Sequence, residues 1–309
     1  MNPKNARFFC AFLIFCLAAS FLCACSGQTV GQNHSDSERR ATSSGQLMPA
    51  APGVVTYGED SISIDASNTS EGYVMVRYSG SASAAKLQIT TPGSDIYTYN
   101  LRAGDYETFP LSGGNGSYKL TVLEQVQEEL YAIAFSQDIS VSVSDAFKPF
   151  LYPNQYVWFT PQSRAVALAA ELSHASSNDL DFVEQVYQYV ITNITYDDVL
   201  AAGIQADYLP DIDRTLSSGK GICFDYASLM SAMLRSQNIP TRLEVGYSGD
   251  AYHAWISVYL EETGWVSGII RFDGKSWSLM DPTLAANNSN SAVKEYIGDG
   301  SNYTVKYSY

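Results

Sequence analysis

Cys223, His253 and Asp281 are three side chains whose types and order could carry nucleophilic chemistry on a carbonyl group. Cys223 follows Gly219-Lys220-Gly221-Ile222 and opens an amphipathic run. That places its thiol in the first turn of a helix, where unpaired amides and the positive end of the dipole favour a thiolate. Gly221 reads as room for close approach of backbone and substrate. His253, in Tyr252-His253-Ala254-Trp255, lies on an alternating strand and shares a face with Trp255, Ser257 and Tyr259. It could take the thiol proton and return it to a leaving amine. Asp281, in Leu279-Met280-Asp281-Pro282-Thr283, would hold the second imidazole nitrogen at a strand end and fix its tautomer. Singly, each has a plainer reading: a small buried hydrophobe, a hydrogen-bonded structural histidine, a turn former.

The elements around them follow from periodicity. Val166, Leu168-Ala169 and Leu172 predict one helix, ending near Ser176, and Leu180 to Ile194 a second, capped by Asn178. A loop from Tyr196 to Pro210 leads to the helix opening near Cys223 and ending at Asn238. Strands are expected at Arg242–Tyr247, Tyr252–Leu260, Gly264–Phe272 and Trp277–Met280. Helices first and an antiparallel sheet second make an α+β domain over residues 146–309. Residues 54–145 instead show about seven short alternating runs separated by turn residues, a pattern that predicts an all-β, immunoglobulin-like sandwich.

Gly221-Ile222-Cys223-Phe224-Asp225-Tyr226-Ala227, His253-Ala254-Trp255 and Asp281-Pro282 together resemble the transglutaminase-like superfamily, which has a papain-like core. His253 lies 30 residues after Cys223, and Asp281 lies 28 after His253, in the family's order. The resemblance runs from about Val157 onward. It implies a Cys-His-Asp triad, with the Cys223 amide as one oxyanion donor. It also implies a second donor from an aromatic side chain before the cysteine helix, and Tyr196 holds that position. Trp255, beside the histidine, is expected as a wall of the site.

Lys4 and Arg7 precede an apolar run from Phe8 to Cys23, the pattern of a secretory leader. Leu22-Cys23-Ala24-Cys25 resembles the lipobox of bacterial lipoproteins, which implies cleavage after residue 24 and lipidation of Cys25. Residues 25–53, rich in Ser, Gln, Gly and Pro, read as a flexible tether to the body. Cys223 is then the one cysteine of the body, without a disulfide partner in an exported chain. The formal net charge of −14 and pI near 4.5 exclude a basic nucleic-acid footprint. Gly219-Lys220-Gly221 lacks the rest of a phosphate loop, Asp211-Ile212-Asp213 lacks a calcium loop's glycine and glutamate, and the few Cys and His residues cannot form a zinc set. No cofactor or metal is therefore expected, and Asp211 and Asp213 are assigned to a solvated loop.

The expectation is a lipid-anchored, extracytoplasmic cysteine enzyme acting on amide bonds. Its partners would be protein or peptide substrates, including peptidoglycan-associated ones, and the membrane through its lipid. Hydrolysis is favoured over cross-linking, and the absence of an acidic loop weighs against a calcium-activated transglutaminase. The alternative is a catalytically silent adhesion or scaffold lipoprotein that binds partners through its β-sandwich.

Overall fold

Alternation of apolar and polar residues builds the first half of the chain. In this computed structural model the described residues are 40, 45–267, 270–272, 277–279, 282–283 and 302–309. The leader, Cys25 and Asp281 lie outside them. β1 (Thr56–Glu59), β2 (Ile62–Asp65), β3 (Tyr73–Tyr78), β4 (Ala85–Thr90), β5 (Ile96–Leu101), β6 (Glu107–Pro110), β7 (Gly116–Gln127) and β8 (Leu130–Val141) form two antiparallel sheets, ordered β1-β2-β3-β6 and β5-β4-β7-β8. Ile64, Val74 and Val76 of one sheet and Leu87, Leu120 and Val122 of the other are at most 1% exposed and belong to one apolar core. Two of the seven short alternating runs, Ala132–Phe135 and Ile139–Val143, belong largely to the one long strand β8, which pairs along β7.

The same core continues into the helical half. α1 (Arg164–Ala175) and α2 (Asp179–Asn193) match the expected helices, and the Asn178 side chain caps α2 by accepting from the Asp181 amide at 2.9 Å. Ile194, expected inside that helix, is instead its extended C-cap. The expected loop from Tyr196 to Pro210 begins with β9 (Thr195–Tyr196) and holds α3 (Asp198–Gly203), and α4 (Ile212–Ser218) and β10 (Lys220–Gly221) lie between it and the cysteine. β9 and β10 pair in parallel over two residues. α5 (Cys223–Arg235) follows and is buried almost all round, as its apolar and small residues require of a central helix. It packs on β11 (Thr241–Ser248) and β12 (Ala251–Leu260), with α1, α2 and α4 against it.

β13 (Gly264–Ser267), β12, β11 and β16 (Tyr303–Ser308) make one antiparallel sheet in the order β13-β12-β11-β16. β14 (Ile270–Phe272) and β15 (Trp277–Leu279) form a separate pair, so the run Gly264–Phe272 read as one strand is two. Arg235, 1% exposed, ties helix to sheet: its guanidinium donates to the carbonyls of Thr241, Tyr152 and Tyr309 at 2.9, 2.9 and 2.6 Å.

Part of the expected flexible tether is docked. Arg40 donates to Asp179 at 2.5 Å, Ser173 at 2.7 Å and the Gln237 carbonyl at 2.7 Å, and its guanidinium lies over the Phe182 ring. Further along, Leu47 and Ala51 pack against Tyr73, Met75 and Tyr152, and the Gly53 amide donates to Asp65 at 2.6 Å. A guanidinium with three acceptors and an aromatic face outweighs the low-complexity composition around it. No helix among the described residues is long and apolar enough to cross a membrane.

Candidate active site

The start of α5 is fixed from both sides. Asp211 caps α4 by accepting from the amides of Asp213 and Arg214 at 3.1 and 3.0 Å, and Gly219 ends that helix in the left-handed region at φ 64°. Asp213 reaches across to the start of α1, accepting from the Arg164 and Ala165 amides at 3.1 and 3.0 Å. These two carboxylates therefore hold helix ends, and the solvated-loop reading gives way to a structural one. β10 then leads to Ile222, extended at φ −98° and ψ 177°, which is the N-cap of α5.

Cys223 is the first residue of α5, half-buried and free. Its amide is among the first-turn donors that no helical carbonyl can take. Three residues past the cap, Asp225 folds back and accepts from the Ile222 amide at 2.9 Å and the Tyr208 hydroxyl at 2.6 Å. This is half of a capping box, since Ile222 has no side-chain acceptor. Burial pushes the Asp225 carboxyl above its ordinary range, while the bonds from Tyr208 and Ile222 oppose that rise. The space beside Gly221 belongs to this carboxylate. A Cβ at Gly221 would lie 2.7 Å from the Asp225 Cβ, so the glycine serves Asp225 and not a substrate.

His253 is half-buried on β12, opposite Gly246 of β11. Its ring stacks on Trp255, with centroids 6.1 Å apart and planes at 22°. Trp255 is 1% exposed and supports the imidazole from behind. It does not line the cleft as the expected wall. Cys223 and His253 instead face a cleft of about 330 Å³, walled by Tyr196, Tyr208, Tyr252 and Tyr309, with Ile204 and Leu209 adding apolar surface. Ala201 to Leu209 thus form one side of the cleft, and Asn100 anchors that segment by donating to the Ala206 carbonyl at 3.1 Å.

Burial, then the charge of a Cys223 thiolate, raises the Tyr196 hydroxyl above its ordinary pKa. Burial likewise raises Tyr252, with Tyr307, Tyr247 and Cys223 adding to it. Both phenols therefore stay protonated as donors beside the sulfur. Tyr208, Tyr252, Tyr309 and Asp225 are site residues the sequence reading missed. Ile222 is no N-cap type, so no capping signature in the sequence marked Asp225. No group of three or more His, Cys, Asp or Glu able to hold a metal occurs among the described residues.

Residues 166–268, which include both Cys223 and His253, match the family model described as transglutaminase-like superfamily. This segment is a transglutaminase-like domain. The chain is 31% identical over 126 residues to the uncharacterized protein YebA of Bacillus subtilis, covering 34% of this chain and 17% of that protein, and so spans a small part of its relative. Among solved structures it is similar to the periplasmic domain of TgpA from Pseudomonas aeruginosa, at 18% identity and TM-score 0.34 over 74% of this chain and 95% of that one. It is also similar to a protein from Cytophaga hutchinsonii described as a putative cysteine protease, at 14% identity and TM-score 0.34 over 75% and 70% of the two chains.

Proposed function

We propose that the transglutaminase-like domain is a cysteine enzyme acting on amide bonds outside the cytoplasm, tied to the membrane through Cys25. The observation that carries this reading is the shared cleft: a first-turn thiol and an imidazole line one pocket with protonated phenols. The Cys223 sulfur attacks the carbonyl carbon while its proton passes to His253. The Cys223 amide and the Tyr196 hydroxyl donate to the resulting oxyanion. His253 then gives the proton to the departing nitrogen, the C–N bond breaks and a thioester remains. Water resolves it in hydrolysis, and a second amine would resolve it in cross-linking. Asp281 orients the imidazole in this scheme. Hydrolysis is favoured over cross-linking as the outcome of this scheme.

The leader and the lipobox-like Cys25 support the location. The two N-terminal sheets are proposed as an immunoglobulin-like sandwich, supported by the orders β1-β2-β3-β6 and β5-β4-β7-β8 with their shared core. The test is the rate of Cys223 alkylation against pH in the wild type and in His253→Ala. Alkylation that is fast at neutral pH in the wild type and markedly slower in the variant is expected. A normal thiol unchanged in His253→Ala would overturn the enzymatic reading and favour a scaffold.

A further inference from the structure

A second cavity, of about 540 Å³, adjoins the cleft, and Gln155 and Leu209 line both. It lies between the β5–β6 region, which contributes Arg102 and Thr108, and the helical half, which contributes Trp158 and Arg214. Its volume falls in the range of ligand sites, about 300–1,000 Å³.

Among the described residues, two polar atoms in its wall lack partners. Thr108, 1% exposed, leaves its Oγ1 without a hydrogen bond there, and Gln155, 6% exposed, leaves its Oε1 without one. The Gln155 amide nitrogen is already spent on the Asn100 carbonyl at 2.7 Å and Glu107 at 3.1 Å, so the free oxygen needs a donor from elsewhere. Buried polar atoms are seldom left unpaired without a reason. Trp158 adds a third feature. It is 45% exposed although its neighbours Val157 and Phe159 are at most 1% exposed, so a pinned backbone presents its indole outward. Among the described residues it makes no ring or cation contact.

The lining narrows the ligand. Glu107, Asp211 and Asp213 outnumber Arg102 and Arg214, so an anionic group would meet a net negative wall. The unpaired Thr108 and Gln155 atoms disfavour an apolar occupant. The Thr108 carbonyl of the edge strand β6 already accepts from the Gln155 backbone amide at 3.1 Å, which disfavours a peptide strand added there. What fits is a neutral molecule with hydroxyls that both donate and accept, and an apolar C–H face for the indole.

We propose that this cavity is a saccharide-binding subsite beside the Cys223 cleft. Resting on the amide-acting reading above, it identifies the substrate class as a peptide carried on a sugar. The test is calorimetric titration of the purified chain with chitotetraose, and in parallel with a neutral tetrapeptide. Binding of the sugar is expected, about tenfold weaker in Trp158→Ala and partly retained in Trp158→Phe. Thr108→Val keeps the shape and removes an unpaired buried hydroxyl, so it should weaken the sugar several-fold while leaving thermal stability equal or higher. Cys223→Ala should bind the sugar as the wild type does, which separates this result from any failure of the thiol chemistry. Sugar affinity untouched by Trp158→Ala, binding of the peptide alone, or binding of neither would overturn the proposal.

Discussion

Replacing Gly221 by alanine isolates the contact that seats the cysteine helix. Gly221 needs no left-handed backbone, so alanine would ordinarily stabilise by about 0.4–1 kcal/mol through the unfolded chain. Here the new Cβ would lie 2.7 Å from the Asp225 Cβ and 3.2 Å from its Oδ2. The Asp225 Cβ is fixed to helical backbone and cannot swing aside, so the carboxylate must leave the Ile222 amide or the helix must tilt. Overpacking of this kind costs about 1–3 kcal/mol, and losing a hydrogen bond to a buried charged group costs about 1.5–3 kcal/mol. After the entropic gain, either route leaves a net loss of about 1–2 kcal/mol. Urea denaturation followed by circular dichroism measures it, with Gly203→Ala as the control. Gly203 has nothing within 4 Å of a new Cβ and an ordinary backbone, so its alanine variant should be slightly more stable. A Gly221→Ala variant as stable as Gly203→Ala would show that the Asp225 contact does not seat the helix.

Two further outcomes are expected. The Lys148 ammonium, with Tyr152, holds the Glu71 carboxyl below 4.5, so this group's stabilisation is present above 4.5 and lost as pH falls through its lowered value. Glu71→Gln should flatten the acid limb of melting temperature against pH by about 2 °C, discounted for partial exposure, and parallel limbs would contradict this. Gly246→Ala would drive a Cβ into the Thr304 carbonyl, so β16 should lose its register on β11 at a cost of about 2–3 kcal/mol. Hydrogen exchange at residues 303–308 should then accelerate, and an unchanged rate there would count against it.

The sequence made the long periodic elements legible, because each repeats its pattern several times. α1 and α2 each bury an apolar face, α5 is buried almost all round, β4 and β5 alternate over six residues, and β11 and β12 are long and mostly buried. Short elements left no period to read. α4 spans two turns and β9 and β10 two residues each, so only Asp211 and Gly219 mark them. β16 alternates well enough to be seen, but its place beside β11 is a pairing across more than fifty residues that no local pattern encodes. Around the cleft, Cys223, His253 and Tyr196 stood out by residue type and motif. Tyr208, Tyr252 and Tyr309 did not, since a tyrosine reads alike whether it walls a cleft or fills a core. Trp255 shows the converse, a ring beside the histidine in sequence that packs behind it in space.

The β9–β10 pairing has a mechanical consequence. The Tyr226 hydroxyl anchors Ile194 by donating to its carbonyl at 2.8 Å. Beyond that point, the wall carrying Tyr196 is stitched to the strand leading into Cys223 by the short β9–β10 ladder, with the Thr195 amide donating to the Gly219 carbonyl at 2.9 Å and the Asp197 amide to the Gly221 carbonyl at 3.0 Å. At about 1 kcal/mol net apiece, such a seam can open well before a domain whose global stability is about 5–15 kcal/mol comes apart. Cys223 therefore sits in a stiff helix beside a compliant wall, and the cleft can widen for a bulky chain and close again without the core taking part.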